Sequence, residues 1–138
     1  MNQATYSVKQ TYNGNFESAV VAITRTLKEQ GFGILTKINV KETLKKKLKI
    51  DYPNYIILGA CNPPNAYKAL QAEKEIGLLL PCNVIVYQDN ATVYIGVMKP
   101  TAALTLSENV TVAKIAREVE SKLITALHQA IKSKRSQE

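Results

Sequence analysis

Apolar and polar residues alternate over residues 5–12, with Tyr6, Val8, Gln10 and Tyr12 on one face and Thr5, Ser7, Lys9 and Thr11 on the other. A period of two predicts a half-buried first strand. Asn13-Gly14-Asn15 interrupts it and offers Asn15 as a helix cap. Phe16, Ala19, Val20, Ile23 and Leu27 then recur at helical spacing on one side, and Gly31 suits the left-handed residue that stops a helix. Residues 33–38 are rich in β-branched side chains and predict a second strand. Asn39 followed by Glu42 reads as a capping box with Asn in place of Ser or Thr. A short helix over residues 40–48 follows, with Leu44 and Leu48 expected as its buried edge and its lysines outward.

Tyr52-Pro53-Asn54 is a turn. The apolar run 55–61 predicts a central strand. Asn62-Pro63-Pro64-Asn65 ends it and opens a short helix over residues 66–71, since proline suits a first helical turn. Residues 76–80 read as an apolar linker closed by Pro81. Residues 82–88 and 91–98 are two strands around an Asp89-Asn90 hairpin turn. Residues 100–106 read as a loop. From Asn109 to about Ser133 a long stripe, among it Val112, Ile115, Val119, Leu123 and Leu127, predicts the longest helix; residues 134–138 are expected to fray. The order is β-α-β-β-β-β-α with two short helices inserted. Two long helices on one largely antiparallel sheet make a two-layer α+β domain.

The 138 residues suit one domain, which usually holds roughly 100–150. We therefore expect a single domain over residues 1–138 with its folded core at about 5–133. With 46% hydrophobic and 21% charged residues, the chain is neither disordered nor a membrane span. The opening MNQATYSVKQ lacks the apolar stretch of a signal peptide, so a cytoplasmic location with reduced thiols is expected.

Net charge is +7, and it is clustered. Lys37, Lys41, Lys45, Lys46, Lys47 and Lys49 stand against Glu42 alone, and Lys132, Lys134 and Arg135 form a second group. A basic patch is where nucleic-acid binding starts. Here Lys supplies fifteen of the eighteen cations, Arg is the usual bidentate reader, and no aromatics interleave with the run. The pattern favours a solvated lysine face, and nucleic-acid binding by the helix at 41–49 is carried as the third reading.

Catalytic residues are scarce. The one histidine, His128, lies within the last helix beside the apolar stripe, which fits a boundary residue rather than a catalytic base. Asp51 and Asp89 both fall in turns, so no carboxylate pair stands out. Gly31-Phe32-Gly33 is too short for a dinucleotide fingerprint. The two cysteines say more. Cys61 ends one strand and Cys82 begins the next, so antiparallel pairing brings both thiols to one rim of the sheet. Each is followed by an asparagine and flanked by proline, in Cys61-Asn62-Pro63 and Pro81-Cys82-Asn83. Such thiols could form a redox pair, accept sulfur or supply half of a metal site, given a lowered pKa from a helix N-terminus or from Lys47. The alternative is two small buried hydrophobes; the spacing is not CxxC and no set of four zinc ligands is present.

The segments GFGIL at 31–35, LKKKL at 44–48, LGACNP at 58–63 and GLLLPCNV at 77–84 resemble the signature blocks of the domain-of-unknown-function family 302, and the likeness runs over roughly residues 5–133. The resemblance implies a small bacterial or archaeal protein with a two-layer α+β fold and homodimeric assembly, and no established activity. The expected function is a homodimeric ligand-binding or assembly module. Its pocket would be lined by Cys61, Asn62, Pro63, Pro81, Cys82 and Asn83, with Lys47 nearby. A second copy is expected to cover Ile76, Leu78, Leu79 and Leu80. A thiol-dependent enzyme or sulfur carrier using Cys61 and Cys82 is the alternative. Cofactor and metal are left open, and no membrane partner is expected.

Overall fold

The structure, a computed structural model, describes residues 4–136, with side chains for 4–132. Five strands form one antiparallel sheet: β1 (Ser7–Tyr12), β2 (Gly33–Asn39), β3 (Tyr55–Cys61), β4 (Cys82–Asp89) and β5 (Thr92–Met98), in the spatial order β1-β5-β4-β3-β2. The chain crosses from one edge to the other through α1 (Phe16–Glu29) and then walks back through β3, β4 and β5. Both edge strands therefore come first in sequence.

Period-two alternation gives the sheet one dry face. Ile56, Leu58 and Ala60 of β3, Val84 and Val86 of β4, and Val93, Ile95 and Val97 of β5 are all buried. Helices α1 and α5 (Val110–Ser136) lie against each other over this face. Their buried stripes include Ile23 and Leu27 on α1 and Val112, Leu123 and Leu127 on α5. Thr26 crosses between the two helices, its hydroxyl donating to the Ala126 carbonyl at 2.8 Å. That bond satisfies a buried polar group that would otherwise destabilise the layer by about 1–3 kcal/mol.

The local signals act as expected at several ends. Asn15 Oδ1 accepts from Ser18 N at 2.7 Å, and Asn39 Oδ1 from Glu42 N at 3.0 Å. Gly31, at φ 89°, ends α1: Phe32 N donates to Leu27 O and Gly31 N to Lys28 O, the paired bonds of a Schellman stop.

Several expectations need correction. Helix α2 (Val40–Leu48) exists, but it has no buried residue, and Leu48 is 61% exposed. The i, i+4 pair Leu44–Leu48 marks its apolar side, with Leu44 half-buried and Leu48 open; α2 packs mainly against β2 and β3. Helix α3 (Pro63–Ala72) starts three residues earlier than expected, because both prolines enter its first turn. Residues Lys74–Leu79, which take in most of the 76–80 stretch expected as a linker, wind into a 3-10 helix. The loop after β5 holds α4 (Pro100–Ala103) and a 3-10 turn, Leu104–Leu106. The backbone N–H and hydroxyl of Thr101 both donate to Glu120 of α5, at 3.0 and 2.6 Å, which anchors α4 to a residue distant in sequence. Finally, α5 runs through Ser136 rather than ending near Ser133. The rest of the expected frayed tail, 137–138, and the side chains of Lys134 and Arg135 lie outside the described residues.

Candidate functional site

β3 ends and β4 begins at the same end of the sheet. Cys82 sits opposite Ala60, and Cys61 opposite Gly33 of β2. β5 also finishes here, because its partner β4 starts here. From this rim the chain leaves into α3 and α4, and both pack against α5.

Between them lies a cavity of about 290 Å³. Its floor is Ala60, Cys61 and Cys82 at the sheet end. Ala69 and Leu70 of α3 form one side; Leu104, Ile115 and Val119 form another. Phe32 and Leu80 fill the corners, and Leu35, the extra residue of a bulge between Ile34 and Thr36, stands at the mouth. Leu35 is 65% exposed and Leu70 41%, so these two lining residues reach the surface. No charged side chain lines the wall.

The polar wall groups are few. Asn62 caps α3, its Oδ1 accepting from Asn65 N at 3.3 Å, while its backbone carbonyl accepts from Ala66 N at 2.9 Å. Pro63 and Pro64 carry no N–H. The start of α3 thus has no free backbone donor from its first four residues. Asn65 also lines the cavity and is 4% exposed.

The thiols are both reduced; Cys82 is 7% exposed and Cys61 is half-buried. Burial pushes the Cys61 thiol above its ordinary value. Burial first, and the neighbouring Cys61 second, push Cys82 up to about 11. Neither thiol is therefore poised as a thiolate near neutral pH. Among the described residues no group of three or more His, Cys, Asp or Glu is arranged to hold a metal ion.

The structure brings Cys61, Asn62, Pro81 and Cys82 around one cavity, and leaves out the other three expected residues. Asn83 pairs with Gly59 across β3–β4 and is exposed, because alternation turns it to the face opposite Cys82. Pro63 points outward at the exposed start of α3. Lys47 is exposed on α2, which begins at Asn39, the far end of β2 from the Gly33–Cys61 pair.

Of the residues expected to need a second copy, Ile76 is 1% exposed, Leu79 and Leu80 are half-buried, and only Leu78, at 83%, stays open. The 3-10 winding of this segment buries what an extended linker would expose. On the side of β2 and α2, Ile38, Leu48, Ile50 and Tyr52 are exposed, while Leu78, Leu106 and Val110 are exposed elsewhere on the surface.

One arrangement had no counterpart in the sequence reading. On the sheet face away from α1 and α5, Tyr55, Tyr87 and Tyr94 stack with centroids 5.4 and 5.1 Å apart. Lys9 Nζ donates to Tyr87 Oη at 3.0 Å and lies 4.8 Å from the Tyr94 ring centroid. The hydrogen bond to Tyr87 is the chief reason the Lys9 ammonium is held above its ordinary pKa. These rings spend their faces on one another and on Lys9. The α2 lysines are exposed, and Lys45 pairs with Asp51 at 2.9 Å.

No helix among the described residues is long and apolar enough to cross a membrane. No curated protein matches the chain. The crystal structure of an uncharacterized conserved DUF302 protein from Bacillus stearothermophilus is similar to it at 30% identity and a TM-score of 0.86, over 92% of this chain and 99% of that one. The family model for the domain of unknown function DUF302 matches residues 6–130, nearly the whole two-layer unit, and the chain belongs to that family.

Proposed function

We propose that the protein is a binding module for a small, mainly apolar molecule held in the Cys61–Cys82 cavity, without covalent chemistry of its own. The observation that carries this reading is the cavity itself: about 290 Å³, walled by apolar side chains from both layers. An apolar void of roughly 150 Å³ already accepts benzene, so this one suits a body of about two fused rings. The raised thiol pKa values weigh against the thiol-enzyme alternative, and the mutual stacking of the tyrosines weighs against a base-stacking platform. Self-association belongs to the same proposal, with the exposed apolar side chains of β2 and α2 as its surface.

Naphthalene is a suitable probe. It should perturb the amide resonances of Cys61, Ala69 and Leu104 and raise Tm in proportion to occupancy. Ala69→Phe, which fills the cavity from α3, should abolish both effects while leaving the spectrum folded. Unchanged spectra at saturating naphthalene would overturn the reading.

A further inference from the structure

The wall of the cavity says which chemical class of molecule fits it, an inference that rests on the binding reading above. Asn65 is 4% exposed, yet no hydrogen bond joins its side-chain carboxamide to any described residue. Its backbone N–H is already committed to Asn62. No buried side-chain nitrogen or oxygen in the described part of the molecule is sealed without a partner, so the Asn65 amide keeps access to open space. Asn65 is one of the residues that line the cavity. An amide left so in a mostly apolar wall is a standing donor and acceptor with its desolvation largely incurred.

Charge is selected against by the same wall. It contains no Lys, Arg or His to meet an anion, and no Asp or Glu to meet a cation. The helix start that would otherwise offer N–H groups to an anion is closed by Pro63 and Pro64 and by the two bonds to Asn62. Carboxylates and phosphates would lose their hydration against apolar carbon and two protonated thiols.

We infer that the cavity takes a neutral molecule with an apolar body of about two rings and one hydroxyl, carbonyl or amide group, which pairs with the Asn65 carboxamide. The apolar body supplies most of the affinity, the uncharged wall rejects charged relatives, and Asn65 supplies orientation and the preference for a molecule with one polar group.

The test compares naphthalene, 2-naphthol and 2-naphthoate by calorimetry at neutral pH, on the wild type, Asn65→Leu and Asn65→Ala. A hydroxyl buried without a partner weakens binding, whereas one that meets the amide strengthens it, so the sign is diagnostic. The wild type should bind 2-naphthol about tenfold more tightly than naphthalene, a gain on the scale of one good hydrogen bond, and 2-naphthoate most weakly of the three. Asn65→Leu should lose the preference for 2-naphthol and keep or improve naphthalene binding. Asn65→Ala, which adds no bulk at the start of α3, should behave likewise if the leucine variant fails to fold. Equal affinity of the wild type for naphthalene and 2-naphthol overturns the inference, as does a preference that survives in either variant. Naphthalene binding with no preference leaves the binding module standing and removes only the role of Asn65. If none of the three binds, both fall together.

Discussion

Cys82 keeps its proton to unusually high pH because the sheet end and the helices above it exclude water, with Cys61 close enough to add to the effect. Unfolding returns the thiol to its ordinary value of 9.0, so between that pH and about 11 the unfolded chain gives up a proton that the folded one keeps. The associated stability is intact below pH 9, declines above it, and is lost as the pH passes through about 11. Its full size is about 2–3 kcal/mol. Urea denaturation at pH 8 and pH 10.5 should show a drop for the wild type that Cys82→Ala lacks; equal drops would mean that Cys82 is not dry. The meeting of the two cysteines was legible, since a strand that ends in Cys and an antiparallel neighbour that begins with Cys must share a rim. The exclusion of Asn83 was legible too, from alternation alone. Asn65 was not. In Asn62-Pro63-Pro64-Asn65 it looks like part of a turn, and only a helix that begins at Pro63 rather than at residue 66 turns it toward the cavity.

Elements were readable where their own residues decide them. The caps of α1 and α2 and the glycine stop of α1 need only neighbours in sequence. The burial of α2 was not readable, because a stripe such as Leu44–Leu48 shows which side is apolar and not whether another element arrives to cover it. The helix α4 was missed for the matching reason: its anchor, Glu120, is nineteen residues away. The end of α2 holds a further departure. Lys49 sits at φ 57°, ψ 34°, the left-handed region that side chains enter at a cost, and its N–H closes the helix on Lys45 O. Lys49→Gly should therefore raise stability by about 0.5–1 kcal/mol, read as a higher midpoint in thermal or urea unfolding. A lower midpoint would show that the lysine side chain holds something its exposure does not reveal.

At the scale of the molecule, the two-layer arrangement follows from a simple imbalance. Five strands bury one face under α1 and α5, and the opposite face carries the stacked tyrosines and Lys9 together with the half-buried Ile57 and Ile85. The sequence carried this layering in its periods of two and 3.6. It did not carry which apolar residues stay exposed: Ile76 is buried in the 3-10 winding of Lys74–Leu79, while Ile38, Leu48, Ile50 and Tyr52 on the side of β2 and α2 stay open. Light scattering on the intact chain of 15.3 kDa should give twice that mass, and Leu48→Glu should return it to one. A wild-type monomer at micromolar concentration, or a dimer untouched by the substitution, would refute the proposed surface. With a formal charge of +7 per chain, such a dimer should also tighten as salt is added, because like charges are brought together when it forms.

The mouth of the cavity has a kinetic consequence. Its two flanking side chains, Leu35 on a bulge and Leu70 on α3, are 65% and 41% exposed. Passage between them requires rotamer changes, which exposed side chains make in picoseconds to nanoseconds, and no opening of sheet or helix. A guest bound as proposed above would therefore come and go without the host unfolding any part of itself.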